Sequence, residues 1–96
     1  MYFLHISLAK VPADVEPFRP SHLQWVKKYV DEGLFLVAST KVNGLGGMIV
    51  AKSINKDFLL SIIAEDPYVA NELVEYQIIE VEIKLTQPEL EFLKGI

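Results

Sequence analysis

Apolar and polar residues alternate at the start of the chain. Tyr2, Leu4, Ile6 and Leu8 fall on one side and Phe3, His5, Ser7 and Ala9 on the other. A period of two predicts a strand with one buried face. The period then changes. Lys10 to Phe18 carries two prolines and no repeat, and is expected to be a loop. Between Arg19 and Gly33 apolar residues recur at helical spacing, with Leu23, Val26 and Val30 as the expected buried stripe and His22, Trp25 and Tyr29 beside it. Pro20 suits a first helical turn, because its missing N–H has no helical partner there. Ser21 and Gln24 have the spacing of a capping box, and Gly33 is placed to end the helix.

Leu34 to Val42 is apolar enough for a central strand. Asn43-Gly44 is a strong turn signal, and Gly46 to Lys52 reads as the returning strand of a hairpin. Ser53 or Asn55 then caps a second helix, Lys56 to Asp66, with Phe58, Leu59, Ile62 and Ile63 as its apolar stripe. Pro67 pushes Asp66 out of helical geometry and ends it. After a turn-rich link over Tyr68–Glu72, Leu73 to Leu85 contains the last strand, with Ile79, Val81 and Ile83 on one face and Ile78 on the other. The order β-α-β-β-α-β predicts an α+β, ferredoxin-like fold, a four-stranded antiparallel sheet with two helices on one face. Residues 1–96 are expected to form a single domain, with 86–96 as a short C-terminal helical tail.

Hydrophobic residues make up 51% of a 96-residue chain, more apolar surface than one small core easily hides. The open sheet face, with Phe3 and Ile78 expected on it, is therefore expected to pair in a homodimer. Net charge is −4 and the basic residues are scattered, so no footprint for nucleic acid is visible, and the hairpin strand lacks exposed aromatics. With no cysteine, disulfides, zinc–thiolate sites and thiol nucleophiles are excluded. There is no membrane-length apolar run and no basic, apolar leader, which leaves a cytoplasmic protein as the expectation. The glycines of Gly44-Leu45-Gly46-Gly47 lie between two strands and lack the Lys-Ser/Thr of a phosphate loop.

One ordered set of residues carries a family signature. It comprises Met1-Tyr2-Phe3, Arg19 with His22-Leu23 and Val26, Gly33-Leu34, Gly46-Gly47, Asp66-Pro67-Tyr68-Val69, and Leu73-Val74-Glu75-Tyr76. Over roughly residues 1–84 the chain resembles the YciI-like (YCII-related) family of the dimeric α+β barrel superfamily. The resemblance implies a dimer with its two sheets facing each other and a pocket in each subunit, with His22 and Asp66 as the catalytic pair. The chain departs from the family pattern at Ser39-Thr40, where Gly-Pro is frequent, and at Glu72, where a glycine is usual. Asn71, beside it, is the residue expected to take the left-handed conformation.

An aspartate accepting from one imidazole nitrogen fixes the tautomer and leaves the other nitrogen free as a base. Ser39, Thr40, Trp25, Tyr68 and His5 are expected to line the pocket. The chain has no serine nucleophile motif, and its two histidines and scattered acids show no metal-ligand spacing. What remains is acid–base chemistry without a cofactor or metal. The superfamily resemblance implies elimination, isomerisation or lactone-type turnover of a small cyclic or phenolic compound. The residues leave a second reading open, a non-catalytic dimeric binding or structural module in which His22 and Asp66 only pin the two helices.

Overall fold

The alternating N-terminal segment forms the central strand, β1 (Tyr2–Leu8), in a computed structural model that describes residues 1–96. It pairs antiparallel on one side with β3 (Gly46–Ala51) and on the other with β4 (Val74–Glu80). Strand β2 (Phe35–Thr40) pairs with β3 at the edge, giving the order β2-β3-β1-β4. This is the ferredoxin-like order, and the chain is an α+β protein. Lys10–Phe18 is not a plain loop. It holds a one-turn helix, α1 (Pro12–Val15), and a 3₁₀ turn (Glu16–Phe18) that runs into α2 (Arg19–Asp31).

Register decides what each face carries, because directly opposed residues in a ladder share a side. Leu4 lies between Ile49 and Ile78, and Ile6 between Gly47 and Tyr76, all on the helix-covered face. Phe3 lies between Val50 and Ile79 on the open face. The expected faces of the last strand are thus reversed. Ile78 packs against the core and Ile79 is 55% exposed. The irregularity between Phe35 and Val37 adds Leu36 as an extra residue. This bulge puts Phe35 in the row of Tyr2 and Ala51, yet also puts Thr40 in the row of Gly47 and Ile6.

Both main helices cover the same sheet face. Helix α3 (Lys56–Ala64) buries Leu59, Ile62 and Ile63, and Asn55 caps it by accepting from the Phe58 amide. Phe58, expected in that stripe, is half exposed. On α2 the buried residues are Trp25 and Tyr29, while Leu23 and Val30 are exposed. The stripe is rotated because its rings fill the core while their polar tips find partners. Trp25 Nε1 donates to the Ile62 carbonyl at 3.0 Å, and the Tyr29 hydroxyl to Glu65 at 2.6 Å. Ser21 makes no capping box; its hydroxyl donates back to Phe18. No helix of the structure is long and apolar enough to cross a membrane. Beyond β4 the chain is irregular until a 3₁₀ segment, Pro88–Gly95, so the expected tail is helical but of the tighter kind.

Two helix ends share one hydrogen-bond pattern. After α2, Gly33 N–H reaches Val30 and Leu34 N–H reaches Tyr29; after the short helix α4 (Pro67–Ala70), Glu72 N–H reaches Val69 and Leu73 N–H reaches Tyr68. Both are Schellman motifs, whose central residue must be left-handed. Gly33 has φ +79° and Glu72 has φ +57°, whereas Asn71, the expected left-handed residue, has φ −105°. A side chain in that conformation costs about 1–2 kcal/mol, partly offset by the greater flexibility of glycine in the unfolded chain. Glu72→Gly should therefore stabilise the fold by about 0.5–1 kcal/mol, read as a rise of a few degrees in the thermal midpoint. A lower midpoint would mean that the Glu72 side chain contributes more than its backbone costs.

Candidate functional site

The site is built where the start of α2 approaches the start of α4. Pro67 sets the first turn of α4 and leaves Asp66, in extended geometry, as its N-cap. Asp66 Oδ1 accepts from the Tyr68 backbone N–H at 3.0 Å and from His22 Nδ1 at 2.7 Å. Oδ2 accepts from the Tyr76 hydroxyl at 2.6 Å. Asp66 is 0% exposed, the one charged residue in the core. Three donors, one of them charge-assisted when His22 is protonated, compensate its desolvation.

His22 belongs to the α2 stripe that also carries Trp25 and Tyr29, so three, then four residues separate three inward-facing polar tips. An ionised carboxylate only accepts, so Nδ1 carries the hydrogen and Nε2 is left as the ring's free acceptor, with no protein partner. Tyr68 holds the ring flat, stacked at 3.9 Å between centroids and 7° between planes. Burial raises the Tyr68 hydroxyl above the ordinary tyrosine range; the positive charge of Arg19 opposes that shift, and Asp66 and Glu16 add to it. It is a proton donor at neutral pH.

Beside His22 lies a cavity of about 210 Å³. Its apolar wall includes Ile6, Leu8, Val15, Val26 and Ile49, and its polar side includes Arg19, His22, Tyr68 and Thr40. The hairpin passes close beneath it. A Cβ on Gly47 would come within 2.3 Å of the Ser39 carbonyl oxygen, so only glycine lets β3 lie this near to β2.

The expected lining residues divide. Tyr68 and Thr40 reach the cavity; Ser39 borders it, but its pairing with Met48 turns its side chain to the open face, where the hydroxyl donates to the Met48 carbonyl at 2.9 Å. Trp25 does not line it; its ring is buried 5.7 Å from His22 among Tyr29 and Phe35. His5 is on the opposite sheet face, hydrogen-bonded to Gln77 at 2.9 Å. Tyr76 and Arg19 were not among the expected site residues. Tyr76 could have been found from period two, since Val74, Tyr76 and Ile78 face the core and a core tyrosine needs a partner for its hydroxyl. Arg19 could have been found from its position one turn before His22.

A family model for the YCII-related domain matches residues 1–82, most of the chain. The chain belongs to the YCII-related family. No curated protein matches it. The YCII-related region contains every residue of the cavity and the whole sheet, and ends before the 3₁₀ segment at Pro88.

Within this YCII-related site the Tyr76 hydroxyl is pushed far above the usual tyrosine range, first by burial, then by the charge of Asp66 and the hydrogen bond to it. Tyr76→Phe strips a buried carboxylate oxygen of its donor and should cost about 1–3 kcal/mol in urea unfolding at pH 7. The raised value has a second consequence. The folded chain keeps a proton that the unfolded chain releases near pH 10, so the contribution is whole below about pH 10 and falls above it by about 1.4 kcal/mol per pH unit. Tyr76→Phe should remove that slope between pH 10 and 11. Equal slopes for both proteins would show that the hydroxyl is not held by Asp66.

Proposed function

We propose that this chain is a small-molecule enzyme that transfers a proton without a cofactor, with His22 Nε2 as base and Asp66 as its orienting partner. One observation carries the reading: Nδ1 is fixed by a fully buried carboxylate at 2.7 Å, while the same ring forms the wall of a mixed apolar and polar cavity. In this reading a C–H or O–H proton of the ligand passes to Nε2, and its electron pair moves into an adjacent carbonyl or ring. The imidazolium keeps its Nδ1–H on Asp66, which stabilises the new charge. The Tyr68 and Thr40 hydroxyls are donors for the oxygen that becomes negative. The substrate is a small cyclic or phenolic compound, and the reaction an elimination, isomerisation or lactone-type turnover.

The same reading includes a cytoplasmic homodimer, a dimeric α+β barrel in which open sheet faces meet. It is supported by Val37, Met48 and Ile79, which are exposed apolar residues on that face at 38–55%. A second reading is favoured by Asp66 itself. Because it caps α4 and ties α2 to β4, the pair also suits a purely structural pin.

Deuterium uptake separates the two. Small cyclic ketones, lactones and phenols are incubated with the protein in D₂O, and loss of C–H signal is followed by proton NMR. The enzyme reading expects faster exchange for at least one class and a loss of about 10²–10⁴-fold in His22→Gln. If no class exchanges, or if His22→Gln exchanges as fast, the enzyme reading is wrong and the pair is a pin.

A further inference from the structure

The chain has 13 acidic and 9 basic residues, and only one of the basic residues is an arginine. That arginine, Arg19, stands on the cavity wall. It is three residues before His22, so the two share a face of α2. None of the chain's five ion pairs involves it, although Glu16 lies on the same wall one turn earlier. Tyr68, which lines the same cavity, stacks on His22 and feels the charges of both Arg19 and Glu16. Arg19, an exposed residue, thus lines the same cavity as the stacked pair Tyr68 and His22, whose remaining lining includes apolar Ile6, Leu8, Val15 and Val26.

A guanidinium that makes no ion pair, in a protein of net charge −4, is a binding element of a particular kind. Its fork of donors matches a planar carboxylate with two parallel hydrogen bonds, which a lysine does not reproduce. Glu16 on the same wall repels a second negative charge and favours a monoanion. The volume, about 210 Å³, is below the roughly 300–1,000 Å³ of sites for drug-sized ligands. One ring or a short branched chain is what fits.

We propose that the cavity takes a small monocarboxylic acid with an apolar ring or branched body, its carboxylate held by Arg19 and its reacting carbon presented to His22. This rests on the reading of the cavity as a ligand site and narrows its substrate class. The anionic end is fixed one helical turn from the base, so the atom that loses its proton is a few bonds from the carboxylate rather than at the far end of the body.

Benzoate and cyclohexanecarboxylate are the probes, with benzamide and benzyl alcohol as neutral counterparts of similar shape. Binding to wild type, Arg19→Gln and Arg19→Lys is followed by two-dimensional NMR at low salt, with the His22 ring signals as the local readout. Benzoate is expected to bind wild type at least tenfold more tightly than benzamide and to shift the His22 signals. Arg19→Gln should weaken benzoate by tenfold or more and leave benzamide unchanged, and Arg19→Lys should lie between. Equal binding of benzoate and benzamide, benzoate binding that survives Arg19→Gln, or no binding of either acid each overturns the proposal. Arg19-dependent benzoate binding without deuterium exchange on any compound would keep the anion site and remove the catalytic base. Deuterium exchange together with benzoate binding that does not depend on Arg19 would keep the base and remove the anion site.

Discussion

A carboxylate with no access to water must be met by donors from the fold itself, and Asp66 recruits them from three directions. The α4 backbone, the α2 histidine and the β4 tyrosine all converge on its two oxygens. An unpaired buried charge costs several kcal/mol, so these elements cannot separate independently without exposing or stranding it. Secondary structures that touch mainly through apolar contacts elsewhere are fixed in angle and depth here by polar geometry. His22 is held in one orientation as a by-product of satisfying Asp66, and that orientation is what gives its free nitrogen a defined direction.

The architecture was readable because the periods are clean. Tyr2, Leu4 and Ile6 alternate and are buried, Asn43-Gly44 turns the hairpin, and the β-α-β-β-α-β order leads to the observed strand order. The pairing of His22 with Asp66 was reached through the family resemblance, since nothing in spacing brings residues 44 apart together. What resisted reading has physical causes. Helical wheels rank residues by hydrophobicity, so Leu23 and Val30 outrank Tyr29, yet an aromatic ring with a polar tip gains more from a site that offers both packing and a partner. The faces of β4 were ambiguous because Ile78 and Ile79 are adjacent and equally apolar. Only pairing with Leu4 and Phe3 decides between them. Trp25 was misplaced because α2 is rotated about its axis, whereas β1 carries His5 on the face its alternation gives it, opposite the helices and the cavity.

The paired helix ends illustrate how hydrogen bonding can override residue preference. Gly33 and Glu72 complete the same motif with the same donors and acceptors, but one does so without strain. Asn71 is the residue that local preference favours for a left-handed conformation, yet the motif counts residues from the end of α4 and the count falls on Glu72. The position of Asp66 as N-cap and the short length of α4 fix that count. The carboxylate that organises the site thus also dictates where backbone strain is placed, six residues later.

The bulge at Leu36 lies on β2 two residues before Ala38, where the strand begins to line the cavity, and it sets the faces of the strand on its two sides against each other. Because of that one extra residue, Thr40 belongs to the cavity row and Ser39 to the open face. A chain without the extra residue would have to give up one of two placements, the Phe35 ring in the core or the Thr40 hydroxyl in the cavity row, without altering either codon. Diversity in what such a cavity recognises can therefore arise by insertion and deletion in the strand that lines it. Relatives with identical pocket-forming residues need not share a pocket surface.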